Sequence, residues 1–193
     1  MEIVAVIIVV AIGAWAMAAY NRLVTLRNGV DNAWRQIDVQ LKRRHDLIPN
    51  LVEAVKGYMN FERDTLMQVV EARGRAIAAP DQSSRIAAEN QITAGMGKLL
   101  AVMENYPQLK ADENVLKLQE ELTTTENQIA FARQAYNDVV LGLNNSIETF
   151  PSNLIANNFG FKPAEYFKAP VEEQAVPKVD LSLGTPGAPA AHS

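Results

Sequence analysis

An apolar run near the N-terminus limits what this chain can fold into. Residues 3–20, IVAVIIVVAIGAWAMAAY, contain no charged side chain and no proline. As an α-helix the run would be about 27 Å long, close to the hydrocarbon thickness of a bilayer. Trp15 and Tyr20 lie near its C-terminal end, where amphipathic aromatic rings favour the headgroup level. We therefore predict a transmembrane helix over residues 1–20.

A cleaved signal peptide is the alternative interpretation of this run. The triplet Ala16-Met17-Ala18 fits the small-residue pattern that signal peptidase recognises. However, signal peptides begin with a basic segment, whereas only Met1 and Glu2 precede this run. The run is also longer than the usual apolar segment of a signal peptide. These features favour a permanent anchor.

The cations near the run predict its orientation. No Lys or Arg precedes the run, while Arg22, Arg27 and Arg35 follow it. Because cationic flanks favour the cytoplasmic side, we expect a single-pass protein of the bacterial inner membrane. Its N-terminus would lie outside and its C-terminal domain in the cytoplasm.

Beyond residue 20, apolar residues recur every three or four positions, as in helices, and no segment shows the alternation of β-strands. The longest stripe comprises Val115, Leu118, Leu122, Ile129, Leu143 and Ile147, with Ala132, Tyr136 and Val139 between them. Two shorter stripes comprise Ile86, Met96, Leu99 and Met103, and Val30, Trp34, Ile37 and Leu41. Heptad spacing of this kind predicts an all-α fold, with coiled-coil-like packing and these residues in the core.

Proline-containing segments divide the helical region. AAPDQSS (residues 78–84) offers Asp81 or Ser83 as the N-cap of the next helix, and ENYPQLKAD (residues 104–112) offers Asp112. FPS (residues 150–152) ends the last long helix. Long helices joined by short turns are therefore expected between residues 21 and 150.

The stretch QLKRRHDLIPNLVEAVKGY (residues 40–58) leaves two readings open. A proline within a helix costs about 3 kcal/mol, whereas Asp46 as an N-cap would place Pro49 harmlessly in a first turn. On the other hand, the apolar residues stay in phase across Pro49, as they would in a kinked helix. We favour the turn, which predicts an antiparallel four-helix up-and-down bundle.

Three blocks in this order carry a family resemblance: YNRLVTLRNGVDNAWRQIDVQLKRRHDLIPNLVEAVKGY, ENYPQLKADENVLKLQEELTTTENQIAFARQAYNDVV and FPSNLIANNFGF. With the apolar run before them, residues 1–167 resemble the LemA family of bacterial membrane-anchored proteins. The resemblance implies a single-pass protein with a cytoplasmic antiparallel helical bundle and no established enzymatic activity. Relatives associated with magnetosome membranes suggest membrane organisation. The family offers no catalytic residues to transfer.

Side chains for catalysis are scarce. The net charge of −4 gives no basis for nucleic-acid binding, and the absence of cysteine excludes disulfides, thiolate metal sites and cysteine nucleophiles. His45 and His192 are the two histidines, and neither belongs to a Glu-x-x-His pair or accompanies a Gly-x-Ser-x-Gly motif. We expect His45 to be a helix-end residue. We predict no enzyme activity, no cofactor, no metal and no small-molecule substrate.

Lys42, Arg43 and Arg44 form the most basic run in the chain and are candidate contacts for a protein partner. Along a straight helix the run lies about 33 Å beyond Tyr20, well past the screening length of about 8 Å. Lipids of the protein's own membrane are therefore out of its reach. Favourable placement of cations at a helix C-terminus is the simpler explanation.

The segment 151–169 is rich in aromatic residues. Its candidates for contact with the membrane interface are Phe159, Phe161, Tyr166 and Phe167. We expect the segment to be a lid that caps the open end of the bundle, with contact at the membrane interface as the alternative. The remaining residues, 170–193, are rich in Pro and Ala and are predicted to be disordered.

These features favour a non-catalytic scaffold anchored at the cytoplasmic face of the inner membrane. It would bind copies of itself, as a homo-oligomer, or other membrane proteins through its helix surfaces. The alternative is a regulatory adaptor subunit of a membrane enzyme, such as a protease or a sensor kinase.

Overall fold

The computed structural model describes residues 1–58 and 63–168, and within these ranges the secondary structure is helical, with no β-strand. The helices are α1 (Glu2–Val55), α2 (Arg63–Ala78), α3 (Gln82–Met103), α4 (Pro107–Ala111), α5 (Glu113–Glu148) and α6 (Ser152–Asn158). The all-α prediction is confirmed. The predicted disordered tail, residues 170–193, lies outside the described residues, as does residue 169 of the aromatic segment.

Helix α1 contains both the apolar run and the first helix of the domain that follows it. Its 54 residues give a length of about 81 Å. An 18-residue window with a mean hydropathy of 2.5 is entirely unburied, so α1 is long and apolar enough to cross a membrane. The apolar run therefore continues into the packed helices without a break.

The turn predicted at Pro49 is wrong. Helix α1 continues to Val55, and Asp46 lies exposed within the helix rather than at an N-cap. Pro49 is also on the exposed side, whereas Ile48, Leu51 and Val55 are fully buried. Burial of each such side chain stabilises the fold by about 1.5–3 kcal/mol, which together outweighs the cost of the proline.

A side chain from α2 replaces the backbone hydrogen bond that Pro49 cannot make. Proline lacks the N–H that would bond to the carbonyl four residues earlier, here that of His45. The Nε of Arg73 donates a hydrogen bond of 2.7 Å to this carbonyl oxygen. The same contact ties α2 to α1.

Helices α1 and α5 pack closely and in opposite directions. Leu26 lies beside Gly142 and Gly29 beside Val139, so residue numbers rise along one helix as they fall along the other. A Cβ at Gly29 would lie 3.3 Å from Val139 Cγ1, which is tighter than usual. The missing side chain at Gly29 therefore permits the close approach.

Helices α2 and α3 form the second close pair and are also antiparallel. Arg75 Nη2 donates to Gln91 Oε1 at 2.9 Å, while Val69 lies against Gly95. A Cβ at Gly95 would lie only 3.0 Å from Val69 Cγ2, so a larger residue there would force Val69 to shift.

Two of the predicted N-caps are confirmed. Asp81 accepts a hydrogen bond of 2.8 Å from the backbone N–H of Ser84 at the start of α3. At the start of α5, Asp112 accepts from the backbone N–H groups of Asn114 and Val115. These bonds satisfy backbone donors that have no partner within the helix.

The predicted apolar stripes mostly form the core, which consists of two clusters. The cluster near the apolar run includes Leu23, Val30, Ile37, Leu41, Ile86, Ile129, Tyr136, Leu143 and Ile147. The distant cluster includes Ile48, Leu51, Val55, Val69, Ile92, Met96, Leu99, Met103, Val115 and Leu122. Charged side chains occupy the level between the two clusters.

Candidate functional sites

The charged side chains between the two hydrophobic clusters centre on Arg44. This residue is fully buried, and its guanidinium reaches both α3 and α5. Nη1 donates to the two carboxylate oxygens of Glu126 at 2.8 and 2.9 Å and to Thr93 Oγ1 at 2.9 Å. Nη2 donates to the carboxylate of Glu89. Arg44 thus joins three helices through charge-assisted hydrogen bonds.

Glu89 is buried between Arg44 and His45. Its Oε1 lies 3.0 Å from His45 Nε2, an ion-pair distance without the alignment of a hydrogen bond. Burial tends to raise the pKa of Glu89, but the contact with His45 and the charge of Arg44 outweigh it. The pKa of Glu89 is therefore lowered, and its carboxylate stays ionised at neutral pH.

Arg85 and Asp38 extend this group toward the surface. Arg85 Nη2 lies 2.9 Å from Asp38 Oδ1, and its guanidinium stands over the ring of Trp34 at 6.0 Å. Burial raises the pKa of Asp38; the charge of Arg85 opposes this shift and that of Glu89 adds to it. We call Asp38, Arg44, His45, Arg85, Glu89 and Glu126 the charged layer.

The charged layer is arranged to hold helices together. Arg44, Glu89 and Glu126 face one another. A cavity of about 350 Å³ beside them is open to solvent, with Asp38, His45 and Arg85 in its wall. In residues 1–58 and 63–168 no three His, Asp or Glu side chains are grouped to hold a metal ion. A buried network of this kind fits a role in fixing the register of helices.

The structure separates the three cations of the predicted partner contact. Lys42 and Arg43 are exposed, whereas Arg44 is fully buried and bonded within the chain, so it is not on that surface. A contact through Lys42 and Arg43 stays a prediction. His45 lies within α1, ten residues before its last residue, and not at a helix end.

A second feature that the sequence did not reveal is an extended segment along α5. We call residues 161–168 the strap. Asn144 donates to the Ala164 carbonyl at 3.0 Å and accepts from the Ala164 N–H at 2.8 Å. Asn137 does the same with Phe167, at 3.0 and 2.8 Å. The two asparagines therefore pair with the strap backbone as a neighbouring β-strand would.

The strap carries Phe167 away from the apolar run. The ring of Phe167 is 2% exposed and lies 6.0 Å from that of Trp34, about 21 Å along α1 from Tyr20. Tyr136 Oη donates to the Glu165 carbonyl at 2.8 Å, and burial raises the pKa of Tyr136. Phe167 is therefore a core residue and is not available for the predicted membrane contact. Tyr166 is 37% exposed, and its contact with a membrane stays a prediction.

The residues before the strap wrap around α1 where the apolar run ends. We call residues 149–160 the collar. Phe159 of the collar and Phe161, the first residue of the strap, contact Tyr20 with ring centroids 4.9 and 5.7 Å from its own. Arg27 lies over the Phe161 ring. The side chain of Phe159 is 60% exposed, and those of Phe150 and Leu154 are also mostly exposed. Phe159 and Phe161 thus lie beside the last residue of the apolar run, and their contact with a membrane stays a prediction.

The sequence is similar to that of known proteins. A sequence model of the LemA family matches residues 33–181. The chain is 29% identical to Protein LemA of Metamycoplasma hominis over 150 residues. The aligned region covers 77% of this chain and 68% of the relative.

Two magnetosome proteins are also similar. Identity to Magnetosome protein MamQ 2 of Paramagnetospirillum magneticum is 25%, over 95% of this chain and 75% of the relative. Identity to Magnetosome protein MamQ of Magnetospirillum gryphiswaldense is 22%, over 85% of this chain and 70% of the relative. Because the family model matches well over half of the sequence, the chain belongs to the LemA family.

Proposed function

We propose that this protein is a non-catalytic scaffold anchored in the bacterial inner membrane, which assembles with copies of itself through α2. The anchor is the apolar part of α1, with the N-terminus outside and the helical domain in the cytoplasm. The domain is an antiparallel four-helix up-and-down bundle of α1, α2, α3 and α5. Similarity to LemA and to magnetosome proteins supports a membrane-associated role.

The observation that carries the proposal is an exposed apolar stripe on α2. Met67, Val70 and Ile77 are 49%, 44% and 57% exposed, and Gly74 completes their spacing of three and four residues. The opposite face of α2, which includes Val69 and Ala72, is buried against α3. A helix with a second apolar stripe at heptad spacing is suited to pack against another helix.

The ionisable groups support a non-catalytic role. Catalysis needs an acid, base or nucleophile that faces a space for substrate. Arg44, Glu89 and Glu126 neutralise one another between helices. Of the groups that line the neighbouring cavity, Arg85 is paired with Asp38, and His45 lies against Glu89. Their arrangement holds the surface of the bundle in a fixed shape, which a scaffold requires.

Single-cysteine crosslinking of the full-length protein in membranes tests the proposal. The natural chain has no cysteine, so each introduced thiol is the only one present. We expect Val70→Cys to form disulfide-linked dimers on mild oxidation. Glu71→Cys, on the adjacent exposed side of α2, is the matched control and should crosslink much less.

Three results would contradict the proposal in different ways. Equal crosslinking of Val70→Cys and Glu71→Cys would mean random collision. Capture of one other protein in a fixed ratio, without self-crosslinking, would replace the scaffold by an adaptor of a membrane enzyme. Labelling of the Val70→Cys thiol from outside intact cells would reverse the proposed orientation.

A further inference from the structure

A cavity of about 560 Å³ lies between the end of the apolar run and the end of α5. Its α1 wall includes Trp15, Ala18 and Arg22, and its opposite wall includes Ser146 and Thr149. Its volume is within the range of about 300–1,000 Å³ that is typical of small-molecule sites. No step of the proposed scaffold function uses it.

One wall of this cavity continues the lipid-facing surface of the anchor. Trp15 and Ala18 belong to the apolar run, whose hydropathic window is entirely unburied. Arg22 lies only about 3 Å along the helix beyond Tyr20, within the headgroup layer of about 5–7 Å. A molecule in the cavity would therefore lie partly among acyl chains and partly among headgroups.

The polar end of the cavity is suited to an anion. Arg22 is exposed and, within the part of the chain that the structure describes, makes no ion pair or hydrogen bond. Two carbonyl oxygens near the end of α5 are turned to a neighbouring donor rather than to the cavity. The single O–H of Ser152 is shared between the carbonyl oxygens of Ser146 and Thr149, which lie 2.7 and 2.9 Å from its Oγ.

We propose that this cavity binds a phospholipid with an anionic headgroup. Arg22 pairs with the phosphate, and the hydroxyl groups of Ser146 and Thr149 supply further hydrogen-bond donors. An acyl chain lies along Trp15 and Ala18, continuous with the bilayer. This inference rests on the membrane anchoring in the proposed function and adds a lipid class and a site to it.

Native mass spectrometry of the full-length protein in detergent tests the proposal, with added phosphatidylglycerol or phosphatidylcholine. We expect one phosphatidylglycerol to be retained in preference to phosphatidylcholine. Arg22→Gln should reduce that preference by about tenfold to a hundredfold, the range expected for losing one charge-assisted hydrogen bond. Arg35→Gln is the matched control, because Arg35 is also exposed on α1 but lies about 20 Å further along.

A second variant tests the apolar part. Ala18→Leu narrows the cavity without changing charge, and should weaken retention of both lipids while leaving the melting temperature unchanged. Equal retention of the two lipids by the natural protein, or equal effects of Arg22→Gln and Arg35→Gln, would overturn the inference. Displacement of the lipid by millimolar inorganic phosphate would also overturn it, since it would indicate a site for free anions.

Carbonate extraction of membranes separates failure of this inference from failure of the proposed function. A protein released by carbonate is not anchored, and both proposals fall. A protein that stays in the membrane but shows no lipid preference refutes the lipid site alone.

Discussion

Arg73 offers a sharp test of how α1 continues through Pro49. Its Nε donates to the His45 carbonyl at 2.7 Å, and this is the carbonyl that Pro49 leaves without a helical donor. Arg73→Met removes the donor while keeping most of the apolar stem. The variant therefore isolates the hydrogen bond from the packing around it.

The expected loss follows from the geometry of this bond. It is short, has a charged donor and is partly buried, and such bonds contribute about 1.5–3 kcal/mol. For a protein of this size, that loss lowers the melting temperature by about 3–12 °C. Arg75→Met is the control, because Arg75 is two residues away and its side chain is 56% exposed. It should cost less than about 1 kcal/mol.

A double-mutant cycle then tests the role of the proline. Alanine at position 49 has an N–H that can donate to the His45 carbonyl, so Pro49→Ala should make Arg73 largely dispensable. We expect Arg73→Met to cost less than about 1 kcal/mol when it is combined with Pro49→Ala. Thermal unfolding of the four full-length proteins in detergent, followed by circular dichroism, measures the cycle. Equal losses in both backgrounds would refute the compensation.

Three further predictions concern the charged layer and the strap. Arg44→Met should destabilise the protein by about 3–5 kcal/mol, because it leaves buried Glu89 without its main counter-charge. In the same unfolding assay, the control Lys42→Met should change the free energy of unfolding by less than about 0.5 kcal/mol. Because the pKa of Glu89 is lowered in the folded state, its contribution is present above about pH 4.5 and is lost as the pH falls through the folded value. In thermal scans from pH 6 to 3, the melting temperature of the natural protein should therefore fall further than that of Glu89→Gln. The pKa of Asp38 is raised, so Asp38 acts in the opposite sense, and it does so in both proteins. Asn144→Ala removes two bonds to the strap and should speed hydrogen exchange at Ala164, whereas Asn145→Ala, at the exposed neighbouring position, should not.

The helical class and most of the core could be predicted because both depend on local spacing. A stripe such as Ile86, Met96 and Leu99 identifies the buried face of its helix, and it does so without knowledge of which helix packs against that face. The path of the chain at Pro49 could not be predicted in this way. Its outcome depends on Arg73, which is 24 residues further along, and on the combined burial of Ile48, Leu51 and Val55.

The charged layer could have been predicted from the sequence. Arg44 was instead interpreted as part of an exposed basic run with Lys42 and Arg43. Arg44 follows Ile37 and Leu41 at the spacing that continues to Ile48, so it occupies a core position of α1. Glu89 stands in the same relation to Ile92 and Met96 in α3. Two opposite charges at core positions of two helices predict a buried pair, since an unpaired buried charge would be strongly destabilising.

The strap shows why some sites become visible only when two segments are brought together. Asn137 and Asn144 are seven residues apart, which is about 10.5 Å along a helix, and Ala164 to Phe167 spans about 10 Å of extended chain. These lengths match because two helical turns rise as far as three extended residues. The asparagines alone would be read as polar surface positions of α5. Their function depends on a collar that turns the chain around α1 and returns it along α5 in that register.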